Sequence, residues 1–122
     1  IFTVNTDGYL SQLNPEMERI IVRLGFDLSR PINMLTRKAF IKSGLAKDLA
    51  ACLEGKEISP TIRSYTVSRR KTYYFRTHMT ALREGDRKIT GVQFIVEEIT
   101  DNYYMAEGVT KNIEIRCCAI LN

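Results

Sequence analysis

Catalysis, metal binding and disulfide formation depend on a few residue types, and this chain is poor in them. It has one histidine, His78, and three cysteines, of which Cys117 and Cys118 are adjacent. No CxxC pair or other zinc-ligand spacing occurs, and an odd cysteine count gives no disulfide framework. Cys52 and His78 could form a nucleophile pair, but no third orienting group is evident. The sequence therefore predicts no catalysis, no metal site and a reducing, cytoplasmic setting.

Positive charge is concentrated between Arg63 and Lys88. Eight basic and two acidic residues lie there, so the segment carries +6 in a chain whose net charge is +4. Clustered arginine and lysine can bind phosphates, but such charges more often keep strands and turns soluble. Nucleic-acid binding through the Arg69–Lys71 turn is therefore the minor alternative.

The size and composition of the chain fit one globular domain. It has 122 residues, of which 44% are hydrophobic and 26% charged, as in ordinary soluble domains. No apolar run is long enough to cross a bilayer and no signal peptide opens the sequence, so no membrane contact is expected. Because the sequence begins inside a strand-like run at Ile1, we interpret it as a piece of a longer protein.

The first half of the chain predicts a hairpin followed by short helices. IFTVNT alternates at period two, Asp7 and Gly8 form a two-residue turn, and YLSQL supplies the partner strand. Asn14 and Pro15 begin a helix that ends at Gly25. INMLT and KAFIKSG predict brief helical turns, and LAKDLAACLEG predicts an amphipathic helix.

Three strand-like segments follow, at about residues 58–68, 72–82 and 88–100. This order excludes a doubly wound parallel sheet, in which strands and helices alternate throughout. We predict an α+β domain with a five-stranded antiparallel sheet and short helices packed on one face.

Three motifs, in this order, resemble the PAS family over about residues 1–101. They are TDGYLSQLNPEMERI, GFDLSRPI and YYFRTHMTALREGDRKITGVQFIVEEITD. The resemblance implies a PAS-like sensory or interaction module of a signalling protein, such as a sensor histidine kinase of a two-component system. It also implies a homodimer, contacts with other domains of the parent protein and a small molecule held between helices and sheet. Residues 102–122 would be a C-terminal linker.

The TGVQ segment is similar to the flavin-binding LOV branch of that family, in which a glutamine at the position of Gln93 contacts the flavin. The photoreactive cysteine motif of that branch does not occur here. Tyr65 and Phe75 stand where the branch has two asparagines, and they cannot supply the same amide contacts. Flavin is therefore not expected as a cofactor. Haem is not expected either, because His78 is predicted on the outward face of the sheet.

An inward Gln93 determines which residues face the pocket. Period-two alternation then places Ile95 beside it and sends Val92, Phe94 and Val96 to the opposite face. The candidate pocket residues are Val4, Thr6, Leu45, Leu49, Tyr65, Phe75, Thr77, Met79, Gln93 and Ile95. They could hold a small molecule. Alternatively, they fill the core completely, and the domain is a ligand-free module for dimerisation and protein–protein interaction.

The last 21 residues allow two interpretations. Met105, Val109, Ile113 and Cys117 recur about every four positions, which favours one stripe of a helix. NIEIRCCAIL also suits the first strand of a following domain, and we favour the helix. In either case the tail or a second subunit would cover the outward face of the last strand. The candidate interface residues are Val92, Phe94, Val96, Val109 and Ile113.

Overall fold

The computed structural model describes residues 1–67 and 71–99, together with the backbone of residues 115–121. The elements, in chain order, are β1 Phe2–Asn5, β2 Leu10–Leu13, α1 Pro15–Arg23, α2 Lys38–Lys42, α3 Leu45–Leu53, β3 Thr61–Val67, β4 Lys71–Glu84, β5 Lys88–Glu98 and β6 Ile115–Leu121. The predicted α+β class is confirmed. No helix among the described residues is long and apolar enough to span a bilayer.

The β1–β2 hairpin forms where the sequence predicts it, and side chains hold its turn. The Asn5 carboxamide oxygen accepts hydrogen bonds from the backbone N–H groups of Asp7 and Tyr9, each at 3.0 Å. Gly8 has a φ of +95°, and a Cβ built on it would lie 2.7 Å from the Leu35 side chain. Only glycine fits both the backbone conformation and the space at this position.

Helix α1 begins and ends at the predicted residues. The Asn14 side chain accepts a hydrogen bond from the Met17 N–H at 3.0 Å, and Pro15 occupies the first helical position. Leu24 caps the C-terminus, and Gly25 follows with a φ of +95°. Of the predicted brief helical turns, KAFIKSG contains α2, whereas INMLT forms a single turn in which the Arg37 N–H donates to the Asn33 carbonyl at 3.2 Å.

The sheet has six strands in the order β2-β1-β5-β4-β3-β6. The pairings among strands β1 to β5 are all antiparallel, as predicted, and β5 lies between β1 and β4. Helices α1, α2 and α3 pack on one face, and their apolar residues share a core with the inward side chains of the strands. Near the middle of that core the rings of Phe2 and Phe94 stack at 4.5 Å.

The predicted helix at the end of the chain is wrong for residues 115–121. These residues form β6, which pairs in parallel with β3 through backbone contacts such as Tyr65↔Ala119. The segment is mostly apolar, and the edge of β3 offers it a row of backbone N–H and C=O groups with which an extended strand can pair. Residues 102–114, including Val109 and Ile113, lie outside the described part of the chain.

Candidate functional site

The candidate pocket residues fall into two groups in the structure. Seven are buried where helices and sheet meet, as predicted: Val4, Leu45, Leu49, Tyr65, Phe75, Thr77 and Met79. The remaining three, Thr6, Gln93 and Ile95, face away from the core. Thr6 is exposed because β1 ends at Asn5 and the turn begins there.

The predicted faces of β5 are reversed. Gln93 is partly exposed, and Ile95 is 47% exposed on the face away from the helices. Val92 and Phe94 are fully buried. Phe94 pairs with Phe2 on β1 and with Met79 on β4, and directly opposed residues share a face of an antiparallel sheet.

The two faces of β5 carry different side chains, and this difference explains why the predicted faces are reversed. Val92, Phe94 and Val96 form an uninterrupted apolar row, whereas the alternate row contains Gln93 and Glu97 around Ile95. Burying the first row removes more apolar surface from water and leaves no amide to satisfy. The proposed interface through Val92, Phe94 and Val96 is therefore wrong, because these side chains belong to the core.

The space between helices and sheet is almost completely filled. One apolar cavity of about 30 Å³ remains there, lined by residues such as Met34, Phe40, Leu45, Tyr65, Phe75 and Val96. Pockets for small molecules have volumes of about 300–1,000 Å³. The remaining cavity is near the size of one or two water molecules and lies far below that range.

Aromatic rings account for much of this filling. Phe40 stacks on Phe26 at 5.2 Å and meets Tyr65 edge-on at 6.4 Å, and Tyr65 lies 6.0 Å from Phe75. The Tyr65 hydroxyl shares a hydrogen bond of 2.9 Å with the Ser43 hydroxyl, so its polar end has a partner inside the core. Because these rings fill the space and the Tyr65 hydroxyl already has a hydrogen-bond partner, a ligand would gain little by binding there.

A buried ion pair is the feature that sequence reasoning missed. Arg63 is completely buried, and its guanidinium forms an ion pair with the carboxylate of Asp48 on α3 and donates a hydrogen bond to the Thr77 hydroxyl on β4. Thr77 in turn donates to the Thr61 carbonyl at 3.3 Å. In the sequence, Arg63 counted only as one of the surface charges. Arg63 and Tyr65 are two positions apart on β3, so their side chains share a face, and this was the signal that could have revealed the burial of Arg63.

The outer face of the sheet carries the polar and charged side chains. Arg76 on β4 and Glu97 on β5 form an ion pair of 3.1 Å across the two strands. Next to them, His78 and Ile95 are directly opposed and both exposed. Ile1, at 49% exposure, adds a second exposed apolar side chain before β1. This face has no helix packed on it among the described residues.

Cys52 and His78 lie in different environments. His78 is exposed on the outer face, as predicted, whereas Cys52 is buried on the core side of α3. Burial raises the pKa of the Cys52 thiol above its usual value, and the charge of Arg83 opposes that shift. A thiol with a raised pKa is a weak nucleophile at neutral pH.

The remaining site predictions concern metal and nucleic acid. Among the described residues, no group of three or more His, Cys, Asp or Glu side chains could hold a metal ion. Of the basic turn, Arg69 and Arg70 lie outside the described residues. Lys71 is exposed, and its ammonium lies 5.2 Å from the centre of the Tyr73 ring.

Comparisons of the chain with protein-family models, with curated proteins and with solved structures find no match.

Proposed function

We propose that this domain is a PAS-like module of a signalling protein that acts through protein–protein contacts. The fold supports the resemblance seen in the sequence, because two strands, short helices and three antiparallel strands follow one another, with the helices on one face. The domain has no catalytic role of its own. Its partners are a second copy of the chain and other domains of the parent protein.

The filled core is the observation that carries this proposal. With a cavity of about 30 Å³, the interior has no room for a cofactor or metabolite in this conformation. The residues that would surround a ligand, among them Tyr65, Phe75 and Met79, instead pack against one another. The domain is therefore better suited to transmitting a conformational change than to binding a small molecule.

The surface proposed for dimerisation is the outer face of the sheet around Ile95. It offers two exposed apolar side chains, Ile95 and Ile1, and one residue of each charge, Arg76 and Glu97. A two-fold related copy presents the same groups, so each Arg76 can also meet a Glu97 of the other subunit. The exposed Ile95, with one positive and one negative side chain beside it, can therefore pair with the same surface of a second copy.

Strand β5 is the proposed path from this surface to the rest of the protein. It carries Ile95 on the outer face and Phe94 in the core, so a displacement of Ile95 also displaces the neighbouring Phe94. At its end, Glu98 forms an ion pair with Arg23 of α1. A shift of β5 on association would therefore move the point at which the chain leaves the antiparallel sheet.

The test is the molar mass in solution of the wild-type chain and two glutamate variants. Sedimentation velocity over a concentration series should show a dimer for the wild type and a monomer for Ile95→Glu. Val22→Glu is the matched control, because Val22 is 58% exposed on α1 and away from the outer face. Its dimer should persist. A wild-type monomer at every concentration, or an Ile95→Glu dimer of unchanged affinity, would contradict the proposal.

A ligand-binding sensor is the second candidate function, favoured by the position of the residual cavity. It lies between helices and sheet, where the PAS resemblance implies a ligand, and its apolar lining includes Leu45, Tyr65 and Phe75. Native mass spectrometry of the purified chain separates the two candidates. Added mass that is lost on denaturation supports the sensor, and a bare polypeptide mass supports the filled-core module.

A further inference from the structure

Helix α2 has one side in the core and one side in solvent. Ala39 and Phe40 are buried, whereas Lys38, Ile41 and Lys42 are exposed. Residues three and four positions apart lie on the same side of a helix, so these three side chains are neighbours. An isoleucine with 54% exposure therefore lies beside two lysines on the solvent side of α2.

Arg37 extends the positive charge to the start of the helix. It is the N-cap residue, and its guanidinium carbon lies 5.3 Å from the centre of the Phe26 ring. The Ile41 N–H donates a hydrogen bond to the Arg37 carbonyl at 3.1 Å, which places these two residues one turn apart. We call Arg37, Lys38, Ile41 and Lys42 the α2 basic surface.

The three cations of the α2 basic surface have no ion-pair partner among the described residues. Residues 26–47 include five basic side chains and one acidic side chain, Asp27, which pairs with Arg30 at 3.8 Å. The next acidic residue, Asp48, is buried and pairs with Arg63. The surface therefore carries an excess of positive charge, which attracts an acidic partner.

The exposed isoleucine favours a protein over other polyanions. A nucleic-acid backbone would pair with the lysines but would give Ile41 no apolar neighbour. An anionic membrane would require a larger apolar face than one isoleucine on a five-residue helix provides. An acidic protein segment that carries an apolar side chain among its carboxylates matches both parts of the surface.

We propose that the α2 basic surface binds an acidic segment of another protein. An apolar side chain of that segment packs on Ile41, and its carboxylates pair with Arg37, Lys38 and Lys42. These charges are exposed to solvent, so added salt weakens the complex. Helix α2 lies on the opposite face of the sheet from Ile95, and the proposal therefore stands whether or not the domain dimerises.

The probe is a capped heptapeptide with leucine at its centre and three glutamates on each side, titrated into the isotope-labelled 122-residue chain. Backbone amide NMR shifts should saturate and should be largest at Lys38, Ile41 and Lys42. Two matched peptides need no altered protein. A peptide with lysine in place of glutamate should show no saturable binding. A peptide with serine in place of leucine should bind about 3- to 10-fold more weakly, because Ile41 loses its apolar contact.

Two pairs of variants test the same contacts from the side of the chain. Lys38→Glu should weaken binding at least about threefold. Lys88→Glu changes the net charge by the same amount at an exposed lysine that begins β5, and its affinity should stay within about twofold of the wild type. Ile41→Gln should bind about 3- to 10-fold more weakly, whereas Val22→Gln, at a similarly exposed residue of α1, should not.

Four results would overturn the proposal. The first is no saturable binding of the leucine peptide, and the second is equal affinity for the leucine and serine peptides. The third is a set of amide shifts that are largest outside α2, or equal losses for Lys38→Glu and Lys88→Glu. The fourth is tighter binding of a heptathymidylate or of phosphatidylserine vesicles than of the leucine peptide. In that case the surface recognises phosphate groups of a nucleic acid or a membrane.

Discussion

Arg63 on β3 and Asp48 on α3 form an ion pair inside the domain, with the arginine completely buried and the aspartate 7% exposed. Through Thr77 the same guanidinium also contacts β4. One charged group thus joins a helix to two strands beneath the helical layer. Two charges this far from water are tolerated only because each stabilises the other.

Removing one member of this pair should destabilise the domain strongly. Asp48→Ala leaves the Arg63 guanidinium buried without its carboxylate, and we expect a loss of about 3–5 kcal/mol in the free energy of unfolding. Urea denaturation followed by circular dichroism measures it. The double variant Asp48→Leu/Arg63→Met should lose less than the sum of the single variants, since no lone charge is left.

The exposed pair of Arg76 and Glu97 is the matched control for the buried one. Both side chains are about half exposed and screened by water, so Glu97→Ala should cost less than about 1 kcal/mol. Equal losses for Asp48→Ala and Glu97→Ala would mean that burial of the first pair has no energetic consequence.

Filling the residual cavity should stabilise the domain slightly. Val96→Ile adds a methylene next to about 30 Å³ of empty apolar space, and the gain should be at most about 0.8 kcal/mol. Val92→Ile adds the same group at a fully buried residue that does not line this cavity and should destabilise by about 1–3 kcal/mol through overpacking. Thermal melts of the two variants measure the contrast. A loss of stability in both would show that the cavity cannot accept a methyl group.

Gly91 permits the close approach of β1 to β5. A Cβ on Gly91 would lie 2.5 Å from the carbonyl oxygen of Val4, a backbone atom that cannot turn aside. Gly91→Ala should therefore push β1 away and cost about 1–3 kcal/mol. Hydrogen exchange should show faster loss of protection at Phe2 and Val4 than at β3. Unchanged exchange at β1 would show that the added methyl group is accommodated without separating the two strands.

The cap of α1 can be tested without touching the core. Asn14→Ala removes the acceptor for the Met17 N–H and should destabilise by about 1 kcal/mol. Asn14→Ser keeps an oxygen in capping position and should stay close to wild type in a chemical denaturation curve. An alanine variant as stable as the serine variant would show that water replaces the cap fully.

Local signals predicted the parts of the fold that depend on neighbouring residues. Asn14 with Pro15 starts α1, and Gly8 marks the turn between β1 and β2, because each acts on groups a few positions away. In β4 the resemblance placed Phe75, Thr77 and Met79 inward, period-two alternation then placed His78 outward, and the structure has them so. These features follow from capping, turn chemistry and a clean period of two.

The errors arose where the outcome depends on distant parts of the chain. The face of β5 was inferred from a resemblance at Gln93, although its apolar alternate row already favoured Val92 and Phe94 as core residues. Alternation in β3 indicates that Arg63 faces inward with Tyr65, but its partner Asp48 lies 15 positions earlier on a helix and does not follow from that alternation. The pairing of β6 with β3 likewise depends on an edge that is formed only in the folded sheet.

The place of β1 between β2 and β5 has a consequence for how the chain folds during synthesis. Strand β1 emerges first, but its neighbour β5 begins at Lys88, so the ribosome has made most of the domain before the sheet can close. That closure brings together residues more than ninety positions apart, as in Phe2↔Phe94. Contacts between residues so far apart in sequence have a large entropic cost of loop closure, and this cost slows folding. Until β5 is complete, the β1–β2 hairpin has no partner for the edge of β1 that pairs with β5 in the folded domain.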